Sequence, residues 1–239
     1  MFYNGDIKFK GESSKAHPLI ITTPPTVSHS ELIAEEYQIP GRNGILYGAN
    51  PYRGSATITV KFALVADEGF QEGVSKYATA YRSTRQWLQG TGQLIIGDAP
   101  DAFYEVQKVE IASDERLILR YGELEAVFTI YPYEFLTSGE DALDDYAEVD
   151  NPGDTASPLY KITGTGSGTL TVNGNQMAYT SAGELYIDTR RFIAYDDNGD
   201  NRNKYLNGDY EGLRLQHGTN EITITGGSLE VYPRWGYNL

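Results

Sequence analysis

The chain has 239 residues, a length that predicts one or two domains, and 33 acidic against 19 basic residues give it a net charge of −14. It contains no cysteine, which excludes disulfides, thiol nucleophiles and cysteine-ligated zinc. The densest basic spots are Arg190–Arg191 and the spaced Arg82 and Arg85, so the chain lacks the clustered cations that bind nucleic acid or an anionic membrane.

The sequence also lacks signals for entering a membrane. Its longest purely apolar run is residues 62–66, far shorter than the roughly 20 residues that a membrane-spanning helix needs. The first residues contain no apolar core of a secretory signal. We therefore expect no membrane insertion. Frequent glycine and tyrosine instead favour antiparallel sheets.

Residues 1–55 are rich in turn formers and contain only short runs that favour strands, Leu19–Thr23 and Tyr37–Ile39. The turn-forming pairs are Pro24-Pro25, Pro40-Gly41, Asn43-Gly44, Asn50-Pro51 and Arg53-Gly54. The first clear strand is Thr57–Val65, in which large apolar residues alternate with Thr, Lys and Ala. This alternation predicts a strand with one face in a core and the other towards solvent.

A helix is predicted over residues 71–89, where apolar residues recur at spacings of three and four. These residues are Val74, Tyr77, Ala78, Tyr81 and Leu88, with Trp87 beside them. Gly90 follows as a C-terminal cap. We expect the apolar face to pack on the domain's own sheet or, for some tyrosines, against a neighbouring subunit.

Strand patterns return after the helix and complete one α+β domain, which we predict over residues 1–136. The predicted strands are Gln93–Gly97, Tyr104–Ala112, Arg116–Tyr121 and Leu124–Tyr131.

Residues 137–157 are acidic and rich in turn formers, which predicts a linker between domains. Residues 158–239 contain short apolar runs separated by Gly and Asn, which favours a β-sandwich. The predicted strands are Leu159–Thr163, Thr169–Val172, Leu185–Thr189, Phe192–Tyr195, Tyr210–Leu215, Glu221–Thr225 and Leu229–Trp235. The predicted fold class is mostly β, with two domains and one amphipathic helix.

No catalytic constellation is evident, and we predict neither catalytic residues nor a cofactor. The three histidines are His17, His29 and His217; His29 is interpreted as a surface residue. The glycine-rich stretch Gly164–Gly168 has the spacing of neither a nucleophile elbow nor a dinucleotide fingerprint. A hairpin turn between Ile162 and Leu170 explains it.

Two acidic stretches have features of a calcium site or of a pair of catalytic carboxylates. Residues 196–200 place Asp196, Asn198 and Asp200 at the spacing of calcium ligands, but the glycine and glutamate that an EF-hand requires are missing. A polar hairpin loop is the preferred interpretation, and the calcium site stays an open alternative. The acidic run 140–150 could supply paired carboxylates for glycoside hydrolysis, but its composition favours a linker.

Four stretches, taken in order, resemble the distal tail proteins (Dit) of long-tailed phages that infect Gram-positive bacteria. The first is a Pro-Gly-Arg-x-Gly turn within residues 39–46, and the second is the helix end 82–88 leading to residues 94–98 and 103–104. The third is residues 125–132. The fourth comprises residues 151–153, 157–158, 185–189 and 215–222.

The resemblance implies a ring-forming N-terminal β domain and a C-terminal galectin-like β-sandwich. It further implies a non-enzymatic baseplate protein of the virion, whose hexameric ring joins the tail tube (major tail protein) to the tail-associated fibre or lysin protein. Receptor-binding or baseplate proteins are further expected partners. The signature residues are Pro40, Gly41, Arg42, Gly44, Trp87 and Asn220. Arg42 is expected either in an ion pair within its domain or in a contact between ring subunits.

A carbohydrate-binding β-sandwich used in attachment to the host cell wall is the alternative from another class. It would use exposed aromatic rings for stacking on sugars, with Tyr186, Tyr195 and Trp235 as the main candidates and Tyr179 and Tyr205 as further ones. An enzyme is the third possibility.

Overall fold

A computed structural model describes residues 5–48, 52–65, 70–118 and 121–239. The predicted Asn50-Pro51 turn and the side chain of Val74 lie outside the described parts. The chain divides into two compact units: residues 1–134 with Leu239, called the first unit, and Phe135–Asn238, called the second unit.

The first unit contains twelve described strands, the helix α1 (Phe70–Trp87) and a 3-10 turn at Ser14–Ala16. The strands are β1 (Ile7–Phe9), β2 (Glu12–Ser13), β3 (Leu19–Ile21), β4 (Thr26–Val27), β5 (Leu32–Ile33), β6 (Glu36–Tyr37), β7 (Leu46–Tyr47), β8 (Tyr52–Arg53), β9 (Ala56–Val65), β10 (Gly92–Ile96), β11 (Ala102–Ile118) and β12 (Tyr121–Leu136). Its main sheet has the order β2-β1-β10-β11-β12-β9-β3, and β4 also pairs with β9.

The core of this sheet is bordered by the long antiparallel strand pair β9–β12. Phe62 lies opposite Leu124, and Ile58 lies opposite Phe128. Both strands alternate as the sequence predicts, so their apolar residues are buried on one face. These residues belong to one core with Phe9 of β1, whose ring packs edge-to-face on Phe128 at 5.5 Å.

The helix α1 packs on this core and ends two residues before the predicted end. Tyr77, Trp87 and Leu88 are buried, and Gly90 has φ +86°, the left-handed conformation of a C-terminal cap. The mostly β fold class with one helix is therefore confirmed. Within the described residues, α1 and the shorter turns include no helix long and apolar enough to cross a bilayer.

The second unit contains eight strands and 3-10 turns at Thr137–Gly139, Asn203–Tyr205 and Glu211–Leu213. The strands are β13 (Glu148–Asn151), β14 (Leu159–Val172), β15 (Asn175–Asp188), β16 (Ile193–Asp196), β17 (Leu206–Asn207), β18 (Gly218–Thr225), β19 (Ser228–Tyr232) and β20 (Gly236–Asn238). The sheet order is β13-β18-β14-β15-β16, with β17 also on β15 and β19 also on β14.

The predicted hairpin turn at Gly164–Gly168 is wrong, because β14 runs through these glycines and pairs with β15 along its whole length. The actual turn is Asn173-Gly174, where both residues have positive φ, as a two-residue hairpin turn requires. The other side of β14 pairs with β19 before the glycine stretch and with β18 after it. A Cβ on Gly168 would lie 2.1 Å from the Thr225 main-chain oxygen. The glycines therefore permit close approach of the neighbouring backbone.

Part of the expected linker 137–157 is ordered sheet of the second unit. Glu148–Asn151 forms β13, which pairs with β18, and its residues alternate between exposed and buried. Val149 faces the core, and the buried Asn151 amide donates to the Asp154 main-chain oxygen at 2.8 Å. The acidic composition is misleading because Glu148 and Asp150 occupy the solvent face of the strand.

Residues 210–215 also differ from the predicted strand, because Glu211–Leu213 forms a 3-10 turn. Leu213 and Leu215 are fully buried and fill the core of this unit. Leu213 and Leu215 alternate with polar residues as in a strand, but they are buried from an irregular segment.

Gly168→Ala is expected to destabilise the second unit by about 1–3 kcal/mol, because the added methyl group overpacks the site between β14 and β18. Urea unfolding measures the loss. Thr165→Ala is the matched control, since Thr165 is exposed on the same strand. An unchanged midpoint for Gly168→Ala would contradict the close approach.

Candidate protein-interaction surface

Residues 31–48 and 52–54 form a two-stranded excursion, called the arm, between β4 and β9 of the first unit. Its root ladder pairs β5 with β8, and its outer ladder pairs β6 with β7. Between the ladders, the Gly48 N–H donates to the Glu35 main-chain oxygen at 2.7 Å. The arm is therefore held by main-chain hydrogen bonds.

The arm carries seven of the twelve large hydrophobic side chains that are exposed in the described residues. They are Leu32, Ile33, Tyr37, Ile39, Ile45, Tyr47 and Tyr52. Tyr47 is 65% exposed and Tyr52 is 62% exposed. No described residue of the arm is buried.

This combination indicates a surface that is covered in an assembly. A two-stranded ribbon is only marginally stable in water by itself. Exposed apolar side chains that lie close together mark sites of protein association, and open strand edges are templates for further pairing.

The tip of the arm contains the Pro-Gly-Arg-x-Gly turn. Gly41 and Gly44 have φ +83° and +87°, so both occupy the left-handed region that glycine adopts without strain. The Arg42 N–H donates to the Ile39 main-chain oxygen at 3.1 Å. The Arg42 guanidinium is exposed and forms no ion pair with any residue that the structure describes. The expected ion pair of Arg42 is therefore not seen among the described residues, and the expected contact with a ring subunit stays a prediction.

Two other signature residues are structural. Trp87, the last residue of α1, is buried. Its ring stacks on the His17 ring at 4.6 Å, and its indole N–H donates to the Phe9 main-chain oxygen at 3.4 Å. Asn220 is fully buried. Its side-chain amide donates hydrogen bonds to the main-chain oxygens of Gln216 and Gly218 and so fixes the start of β18. Neither offers a surface for a ligand.

The aromatic residues considered for sugar stacking are only partly available. Tyr186 and Tyr195 are cross-strand partners whose rings stack on each other at 5.1 Å, so each ring covers one face of the other. Trp235 packs against the core of the second unit and donates its indole N–H to Ser138 Oγ at 2.9 Å. The structure brings the two tyrosines together but stacks Trp235 on neither.

The sequence did not predict a cavity of about 340 Å³ in the second unit. Its lining includes Thr180, Glu184, Asn198, Arg202 and Tyr205. Tyr205 is 40% exposed, and the Arg202 guanidinium lies 5.7 Å from its ring centroid. The residues come from β15 and from the segment after β16, so only the fold reveals their proximity.

The loop 196–200 beside this cavity is closed by hydrogen bonds. Asp196 forms an ion pair with Arg202, whose Nε donates to Oδ2 at 3.0 Å. Asp196 Oδ1 accepts the N–H groups of Asn198 and Asp200 at 3.1 and 2.9 Å. The Arg202 side chain, aided by these N–H groups, holds the pKa of the Asp196 carboxyl below its ordinary value. Among the described residues, no group of three or more His, Asp or Glu side chains could hold a metal ion.

No protein-family model and no curated protein matches the chain. Among solved structures it is similar to the SPP1 Dit protein, described as a paradigm of the hub adsorption apparatus in phages infecting Gram-positive bacteria. The identity is 12%, the match covers 96% of this chain and 98% of that chain, and the TM-score is 0.70. At this identity the likeness shows the fold alone. The resemblance predicted from the motifs is confirmed at that level.

The Asp196–Arg202 pair predicts a pH dependence of stability. Because folding lowers the Asp196 pKa, its contribution is complete above the unfolded-state pKa of about 3.9 and is lost as pH falls through the folded-state value. Asp196→Asn is therefore expected to be less stable than the parent at pH 7, with the difference shrinking below about pH 4. Urea unfolding across this range measures it. A pH-independent difference would contradict the ion pair, and Asp197→Asn on the same loop is the control.

Proposed function

We propose that this chain is a distal tail protein, a structural hub of a phage tail tip, and that it assembles into a hexameric ring. The ring joins the tail tube to the tail-associated fibre or lysin protein and to receptor-binding or baseplate proteins. The observation that carries this proposal is the exposed apolar arm on a chain with the fold of SPP1 Dit.

The arm supports ring formation for a physical reason. A closed ring uses a head-to-tail interface, in which each subunit offers one surface and accepts a different one. The arm offers seven exposed large hydrophobic side chains and, at its tip, the exposed Arg42 guanidinium, which forms no ion pair with the described residues. Aromatic residues and arginine are the side chains most enriched at the centre of protein interfaces.

The proposed role as a tail-tip hub also assigns a role to each of the two units. The first unit is the ring-forming domain, and the second unit, which includes β13, is a galectin-like domain available to further baseplate proteins. The protein resides in the virion at the tail tip, acts without catalysis and uses no cofactor.

A second candidate function is carbohydrate binding by the second unit. The observation in its favour is the polar cavity beside Tyr205, since sugars are bound by hydroxyl-matching polar groups next to an aromatic ring. A glycan array tests it. Selective binding that is lost in Tyr205→Ala would support this function, and an array without selective binding would exclude it for the glycans tested.

Electron microscopy of the purified protein, alone at high concentration and with tail-tube and fibre partners, tests the hub. The expected result is a ring of about six copies with a central channel, and native mass spectrometry counts the copies. A strict monomer under all these conditions contradicts the proposal.

The double substitution Ile45→Ser with Tyr47→Ser is expected to weaken ring assembly at least tenfold, because it removes two large exposed apolar side chains from the arm. The melting temperature should stay near that of the parent, since neither side chain is buried. Mass photometry across a dilution series measures assembly. Tyr237→Ser is the control, because Tyr237 is an exposed tyrosine outside the arm. Equal assembly of variant and parent would remove the arm from the interface.

A further inference from the structure

The two legs of the arm meet at one atom, the main-chain oxygen of Leu239. Ser30, just before the outgoing leg, donates both its Oγ–H and, at 3.3 Å, its N–H to this oxygen. Arg53, on the returning leg, donates Nη1–H to the same oxygen at 2.9 Å. Arg53 Nη1 also lies 3.3 Å from Ser30 Oγ, so the two legs are bonded to each other at this point.

Leu239 is itself held by the first unit. Its side chain packs against the hydrophobic core of that unit, and its N–H donates to the Pro132 main-chain oxygen at 3.3 Å. Pro132 belongs to β12, a 16-residue strand whose apolar residues form part of the core. The oxygen that receives both legs is therefore bonded to a core strand of the unit.

Within the described residues, the other contacts of the arm lie mostly within the arm itself. None of its described side chains is buried, and its two ladders bond the legs only to each other. Regular pairing with β9 ends at the Thr26–Val27 strand, and the Ser28 N–H makes the last bond, to the Thr57 main-chain oxygen at 2.8 Å. Beyond Ser28 the outgoing leg is attached through the contacts at Leu239, whereas the returning leg continues into β9 after Ser55, whose Oγ–H donates to Gln107 Oε1 of β11 at 3.1 Å.

We propose that Leu239 anchors the arm, and that Ser30 and Arg53 are positioning residues that set its direction in the isolated subunit. This inference rests on the proposed role of the arm in ring assembly. A surface ordered before binding loses less conformational entropy when a partner covers it. The anchor thus makes the arm a pre-organised contact rather than a segment that orders on assembly.

Distance measurements between spin labels test the anchor directly, because the chain contains no cysteine to interfere. Labels are placed at Asn43→Cys on the arm tip and Ser83→Cys on α1, both exposed. At concentrations below assembly, the parent is expected to give one narrow distance distribution. Ser30→Ala with Arg53→Ala should broaden it, and Arg53→Lys, which keeps a donor, should give an intermediate width. Lys8→Ala removes the same charge from an exposed site of the same unit and should change nothing.

Assembly is the second measurement. The Ser30→Ala, Arg53→Ala variant is expected to assemble about tenfold more weakly in mass photometry, the effect of losing roughly 1.4 kcal/mol of pre-organisation. Its melting temperature distinguishes loss of direction from loss of fold, and it should stay close to that of the parent.

The possible outcomes separate the two proposals. An unchanged distance distribution overturns the anchor. A broadened distribution with unchanged assembly overturns its role in ring formation. A broadened distribution in a protein that never assembles, even with its partners, supports the anchor and contradicts the hub.

Discussion

The antiparallel pairing of β9 with β12 is the interaction on which the first unit depends. It places Ile58 and Phe62 opposite Phe128 and Leu124, so that a single face of the sheet becomes core. The arm returns to the sheet at the start of β9, and Leu239 bonds to Pro132 of β12. The same strand pair therefore builds the core and supplies the fixed base from which the exposed arm extends.

An exposed apolar arm on a chain with net charge −14 combines two opposing interactions. Like charges repel copies that approach in arbitrary orientations and keep the protein soluble. Apolar burial acts only at contact and only where surfaces match. In the proposed ring, this balance would favour the orientation in which a neighbour covers Tyr47 and its surroundings, which is the selectivity that a closed ring requires.

The sequence predicts elements whose signal is local and fails where tertiary contact decides. Alternation predicts β9 and the middle of β12, helical spacing predicts α1, and the Pro-Gly-Arg-x-Gly motif predicts the turn that lies at the tip of the arm. The glycines of β14 were misread as a turn, since the need for close approach to Thr225 arises from a strand far along the chain. The predictions from sequence do not include the arm as an interaction surface. A signal for it exists, because the large apolar residues of the arm lie among turn formers and no long strand is present to bury them.

The β14–β15 hairpin has a consequence for the order of folding in the second unit. Its turn, Asn173-Gly174, closes a loop of minimal length, so pairing can spread outward from it with little entropy cost at each step. The β13–β18 pair joins segments about 70 residues apart, so closing it costs more chain entropy than closing the hairpin. Nucleation at one asparagine-glycine turn, with β13 docking late, is the pathway that this topology favours.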